Sequence, residues 1–176
     1  MESPNLILSS MKSLFNLFFV ASLLIFTTSC SSDSSDDIAA ETNQSQNLVI
    51  PQSKTIEIEI MELINEYRIS EGLNVLNNNG IIKAQAYTHT EYMVVNDNVS
   101  HDNFYARKTY LINNVGAEAV TENVAFGFTN AQSVVNAWLN SEGHKQNIEG
   151  DFTDFEISAE QNADGKWYFT NIFVKK

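Results

Sequence analysis

A chain of 176 residues with a formal net charge of −12 is long enough for one domain and a leader, and too short for two sizeable cores. Its 22 Asp and Glu against 10 Lys and Arg repel phosphate, which excludes a nucleic-acid partner. With Cys30 as the only cysteine, an internal disulfide is excluded, and the core alone must hold the fold.

From Met11 the chain reads MKSLFNLFFVASLLIFTTSC: a lysine, then an apolar run interrupted only by Asn16 and Ser22. That is the size and order of a secretory signal, and it is too short to span a bilayer comfortably. Residues 1–29 are therefore expected to be a signal peptide, with Met11 the candidate true start. Cys30 follows the small polar run Thr27, Thr28, Ser29 and resembles the acylated cysteine of a bacterial lipoprotein, although Thr27 replaces the usual aliphatic residue. This implies a membrane partner through a lipid on Cys30, at the outer membrane or cell surface; an ordinary secreted protein with a free cysteine is the alternative. Residues 30–53 begin CSSDSSDD and continue in Asn, Gln, Ser and Thr. Such a segment has too little apolar surface to fold and reads as a tether.

About 123 residues, 54–176, remain for one compact domain. Ile56, Ile60, Leu63, Ile64 and Tyr67 fall at helical spacing, and Gly72 closes that helix. A second helix is predicted from Ile81 to Val95, with Ile82, Ala86, His89 and Met93 on its buried face. His89 is thus expected to be a packed, hydrogen-bonded core residue. His101 falls in a polar loop, NVSHDNF, and Phe104 to Ile112 can form a short helix.

The segment AVTENVAFGF alternates and reads as a short irregular strand with Glu122 on its apolar side. An unpaired carboxylate there costs several kcal/mol, on the order given for buried charges, so Glu122 requires a partner. Ala131 to Leu139 is a third helix. Two strands, Asp154 to Gln161 and Lys166 to Lys175, end the chain, joined by NADG. The last strand is apolar on both faces, so it lies between two layers. Helices followed by an antiparallel hairpin give an α+β sandwich.

Between the third helix and this hairpin comes NSEGHKQNI. Ser141 can cap a short helix that starts at Glu142 and carries His144 at its third position. The field at a helix start disfavours an imidazolium, so His144 is expected to be neutral and able to bind a metal or accept a proton.

LINEYRISEGLNVLNNN, AQAYTHTEYM, SH, TENVAFG, VVNAWLNSEGHKQNI and KWYFTNIFV follow in order and spacing the blocks of the CAP superfamily. That superfamily comprises the cysteine-rich secretory, antigen 5 and pathogenesis-related proteins, and the chain resembles its bacterial members. The resemblance implies a three-layer α-β-α sandwich around a small antiparallel sheet. It also implies a cleft that collects His101, Glu122 and His144, with Asn123 as the adjacent motif residue. Glu142 stands where a proline is common, and Glu156 and Ser158 where glycines are usual. A second histidine block found in animal and plant relatives is missing.

Two imidazoles and a carboxylate with an open position suit Zn²⁺, which makes His101, Glu122 and His144 candidate metal ligands and Asn123 and Glu142 cleft candidates. No serine elbow, HExxH helix or free thiol supplies a nucleophile or base. A binding module for a small molecule, lipid or extracellular protein is therefore favoured over an enzyme. Two other readings stay open: a metal-assisted hydrolase, and a hydrogen-bonded polar knot with no ligand.

Overall fold

The structure is a computed structural model that describes residues 48–176; the expected signal peptide, Cys30 and most of the expected tether lie outside the described residues. Leu48 to Lys54 lead without regular structure into α1 (Thr55–Ser70). The alternating IEIEI at its start is strand-like in isolation. Helix wins because Glu57, Ile60, Met61, Ile64 and Arg68 then share one buried face at i, i+3, i+4, i+7 and i+11. The Glu57 carboxylate also accepts the Lys54 backbone N–H at 2.6 Å, satisfying a donor that a helix start leaves unpaired.

Next come β1 (Asn77–Asn78) and α2 (Gly80–Asn96). Asn79 caps α2, its side chain accepting from the N–H groups of Ile81 and Ile82. Then follow α3 (Phe104–Val115), β2 (Ala119–Phe126), α4 (Ala131–Leu139), α5 (Glu142–Glu149), β3 (Asp154–Gln161) and β4 (Trp167–Lys175). Glycine is required where α5 hands over to β3: a Cβ on Gly150 would lie 2.3 Å from the Phe152 ring.

The strands lie in the order β1-β3-β4-β2. β4 is central and antiparallel to both β2 and β3, as its two apolar faces require. The sheet is mixed rather than purely antiparallel, because Asn77 and Asn78 pair parallel to Asp154 and Phe155. Two asparagines carry no hydrophobic alternation, so no sequence pattern announces that strand. β2 is regular, all its residues from Ala119 to Phe126 pairing in register with Lys175 to Tyr168.

Helices cover both faces. On one, α1, α4 and α5 enclose a core of Ile60, Ile64, Trp138, Phe155, Phe169 and Phe173. On the other, α2 and α3 pack Ile82, Ala86 and Leu111 onto Val120, Ile172 and Val174, with Met93, Val124 and Tyr168 beside them. The expected α-β-α sandwich is the observed architecture.

β1 covers only the start of β3, so the rest of that edge needs partners. They are side chains. The Lys83 Nζ donates to the Ile157 carbonyl at 2.6 Å and lies 2.7 Å from Glu57 Oε2, while Glu57 Oε1 accepts the Ala159 N–H at 2.8 Å. Both residues are buried. Lys83→Met is expected to cost about 3–5 kcal/mol in urea unfolding by stranding Glu57. Adding Glu57→Gln should recover part of that loss, and an additive double variant would show that the two are not coupled.

Candidate functional site

Glu122 lies on the α2–α3 face of β2, where its side chain is 1% exposed. Arg107 of α3 grips it with two hydrogen bonds, Nε to Oε2 at 2.9 Å and Nη2 to Oε1 at 2.8 Å. This planar, two-point pairing suits a guanidinium and a carboxylate. Arg107 also donates through Nη1 to the Asp102 carbonyl at 2.6 Å, fixing the loop that carries His101. The His101 Nδ1–H donates to Glu122 Oε1 at 2.9 Å, while half of the His101 side chain stays exposed. Burial by itself would raise the Glu122 pKa, but the hydrogen bonds from His101 and Arg107, with the Arg107 charge, hold it below the ordinary glutamate value.

His89 of α2 packs behind this carboxylate. Its Nε2–H donates to the Ser100 carbonyl at 2.7 Å and lies 3.7 Å from Glu122 Oε1. The residue is a buried core histidine, as its place on the helix stripe predicts. Burial lowers its pKa; the charge of Glu122 opposes that shift and the charge of Arg107 adds to it.

His144 stands at the third position of α5, half-buried, with its Nδ1 paired to Ser141 Oγ at 2.9 Å. Ser141 occupies the N-cap, yet its hydroxyl serves the imidazole and makes no cap bond. The pKa of His144 is lowered, as expected, but through burial first and the charge of His101 second. Asn123 anchors α5 on the opposite face of the sheet from Glu122: its Nδ2 donates to the His144 carbonyl at 3.0 Å, and its Oδ1 accepts from Asn147 at 2.7 Å.

A cleft of about 240 Å³ opens at this edge of β2, lined by His101, Phe104, Val120, Thr121, Glu122 and Asn147. The odd-numbered residues of β2 bond β4, continued by the Gly127 N–H to the Trp167 carbonyl, so the even-numbered peptide groups face outward. Trp138 caps the Val124 carbonyl at 3.1 Å and Asn147 caps that of Glu122 at 3.3 Å. The Val120 carbonyl, beside the cleft, has no such side-chain cap among the described residues.

His101 and Glu122 are therefore in direct contact and both line the cleft, His144 is not among its lining residues, and Asn123 holds the helix that carries His144. Glu142 is exposed in the first turn of α5 and makes no side-chain hydrogen bond among the described residues. No group of three or more His, Cys, Asp or Glu side chains stands together in metal-binding geometry among the described residues. Both Glu122 oxygens are already engaged. Sequence reasoning missed Arg107, whose signal is its place at i+3 from Phe104 and i−4 from Leu111, on the apolar stripe of a short helix. Of the aromatic residues nearby, Trp138 is buried, while Phe126 is partly exposed and packs on Tyr168.

The fold and the cleft define a small α-β-α sandwich with an imidazole-carboxylate site at a sheet edge. The model of the cysteine-rich secretory protein family, CAP, matches residues 61–173, and the chain belongs to that family. It is 29% identical over 126 residues to the "Uncharacterized membrane protein YlbC" of Bacillus subtilis (strain 168), a match covering 69% of this chain and 35% of the relative. The chain thus spans about a third of that relative's length. An outer surface protein from Borrelia burgdorferi has a similar structure (TM-score 0.60, 24% identity, 66% of this chain and 90% of that one). So does an extracellular protein containing a SCP domain from Bacillus anthracis str. Ames (TM-score 0.59, 26% identity, 68% of this chain and 40% of that one).

Arg107→Met is expected to destabilise the protein by about 3–5 kcal/mol at neutral pH by leaving the buried Glu122 without its guanidinium partner, with only the His101 hydrogen bond remaining. Because Glu122 has a lowered pKa in the folded state, its stabilising contribution is complete above the unfolded value and is lost as pH falls through the folded one. The gap between wild type and Arg107→Met should therefore narrow on acidification in a series of unfolding curves. A gap that stays constant with pH would break the assignment.

Proposed function

We propose that this chain is an exported binding module, held at the cell surface through a lipid on Cys30, that takes its ligand through His101 in the cleft and His144 on the adjoining α5. One observation carries the reading. Each imidazole has its Nδ1 fixed, by Glu122 and by Ser141, while neither Nε2 makes a hydrogen bond among the described residues. Two oriented imidazoles with their outer nitrogens bare form a recognition surface rather than packing. Location outside the cell is supported by the leader and by the extracellular and outer-surface names of the similar structures. Among the described residues, no helix is long and apolar enough to cross a membrane.

A hydrolase is less well supported. Glu122, the one carboxylate in the cleft, is tied at both oxygens and has a lowered pKa, so it is a poor proton acceptor at neutral pH. A divalent metal fits the site only in part. His101 and His144 can offer two nitrogen ligands, and the bond from His101 to Glu122 is the carboxylate–imidazole support that metal-binding histidines use. Glu122 itself does not fit as a ligand, since binding metal would strip a buried guanidinium of its partner. With fewer protein ligands than a catalytic zinc site keeps, the cleft suits reversible capture of Zn²⁺ or of a ligand carrying a donor group. When bound, a cation there would supply positive charge to hold an anionic or carbonyl group.

Calorimetric titration of the protein with Zn²⁺ near neutral pH is expected to give binding that His101→Ala and His144→Ala each abolish. The affinity should fall as pH drops through the histidine range, because imidazolium cannot ligate. If wild type takes up no Zn²⁺ and the variants are merely less stable, the cluster is a polar knot.

A further inference from the structure

Beside the stripe that α1 turns to the core lies a second one. Ile58, Met61, Asn65 and Ile69, at i, i+3, i+7 and i+11, border a groove of about 670 Å³ on the outer side of the helix, with Asn78 of β1 on its other wall. Ile58 is 43% and Ile69 61% exposed. A single exposed isoleucine is ordinary on a protein surface, but two that flank Met61 in one seam make an apolar track. From Ile58 to Ile69 the track runs about 17 Å, at about 1.5 Å per residue, which is room for about three turns of a partner helix. Its walls are fixed: Asn65 accepts the Leu76 N–H at 2.8 Å and donates to the Leu76 carbonyl at 3.2 Å, and Asn78 Nδ2 donates to Met61 Sδ at 3.1 Å. A groove already in shape loses little entropy on binding.

Charge selects the occupant. Glu59, Glu62 and Glu66 are exposed, and no Lys or Arg pairs with any of them among the described residues. Glu62 and Glu66 line both this groove and a hollow of about 420 Å³ against the start of α4, which Glu59 also lines. The carboxylates thus stand as a ridge along the apolar track. A second copy of the chain would set the same carboxylates against them, and an anionic lipid surface would be repelled likewise. A neutral bilayer would bury the ridge without compensation. A polyamine would answer the charge and leave Ile58 and Ile69 in water. The partner that meets both demands carries basic groups and an apolar stripe together, at helical spacing.

We propose that the outer face of α1 is a docking site for a cationic amphipathic helix, whose apolar stripe lies on Ile58, Met61 and Ile69 and whose basic side chains meet Glu59, Glu62 and Glu66. The groove shares no lining residue with the imidazole cleft, and the two sites stand or fall separately.

The test titrates the full chain with a peptide of about 14 residues, leucine and lysine spaced so that the leucines form one helical face. The comparisons are the same residues in scrambled order, the same peptide with glutamate for lysine, and spermine. Wild type should bind the amphipathic basic peptide saturably, at least about tenfold more tightly than any comparison, and less tightly as salt is raised. The double variants Ile58→Ser with Ile69→Ser and Glu62→Lys with Glu66→Lys should each weaken binding about tenfold, whereas Glu118→Lys, at an exposed carboxylate outside the groove, should change it less than about twofold. The methyl resonances of Ile58 and Ile69 in wild type should move on binding, a reading that needs no variant to fold. The proposal is overturned if the amphipathic peptide does not bind, if the scrambled peptide or spermine binds as tightly, if Glu118→Lys weakens binding as much as the paired reversal, or if the two methyl resonances stay in place.

Discussion

Buried in the seam between α1, α2 and β3, the Lys83–Glu57 pair does for one edge of the sheet what a further strand would do. Lys83 feeds a cation to the Ile157 carbonyl and Glu57 offers an oxygen to the Ala159 N–H. Together they meet the hydrogen-bonding needs of an edge that β1 leaves open after Phe155. The pair also joins a helix from each outer layer, α1 and α2, so the two layers are locked at the sheet's rim. Two ions taken out of water recover their desolvation only when geometry and further hydrogen bonds are good, and both conditions are met here. For a domain with no internal disulfide, this is a tie that packing alone would not supply.

The opposite edge is closed by a different device, and the cleft is its consequence. Glu122 and Asn123 are neighbours on β2, so strand pleating sends them to opposite faces. Glu122 binds Arg107 and His101 on the α3 side, and Asn123 binds the α5 backbone and Asn147 on the other. One dipeptide thereby fixes the loop that carries His101 and the helix that carries His144. Glu122 and Ser141 hold the two imidazoles by their Nδ1 side, and neither Nε2 makes a hydrogen bond among the described residues.

Much of this was legible in the sequence because the signals are local. Helical spacing from Ile56 to Tyr67 and from Ile82 to Met93, and the two apolar faces of the last strand, come from periodicities that burial enforces. The demand that Glu122 find a partner followed from its place on the apolar side of a strand. What escaped was non-local. Arg107 reaches Glu122 only once α3 packs on β2, and the two-residue β1 has no pattern to read. Ser141 looks like a cap from its position, but its hydroxyl turns to His144 because imidazole and hydroxyl meet three residues apart. The parallel pairing of β1 likewise depends on the crossover from α1 on one face of the sheet to α2 on the other.

The two faces of the sheet divide the work. Toward α1, α4 and α5 the core is largely aromatic, with Trp138, Phe155, Phe169 and Phe173 buried, and this face supplies most of the apolar area that opposes the entropy of the unfolded chain. Toward α2 and α3 the buried set is polar and ionisable to an unusual degree, including His89, Arg107, Glu122, Glu156 and Ser158. Glu156 shows the cost: burial raises its pKa, a backbone N–H from Asn79 reaches one of its oxygens, and the other has no partner. A glycine at that position would spare the desolvation. Such a face is poorly explained as scaffold, since apolar side chains would stabilise it better. Of this set Glu122 lines the cleft, whereas Glu156 and Ser158 do not, and the aromatic side offsets the stability cost of burying them.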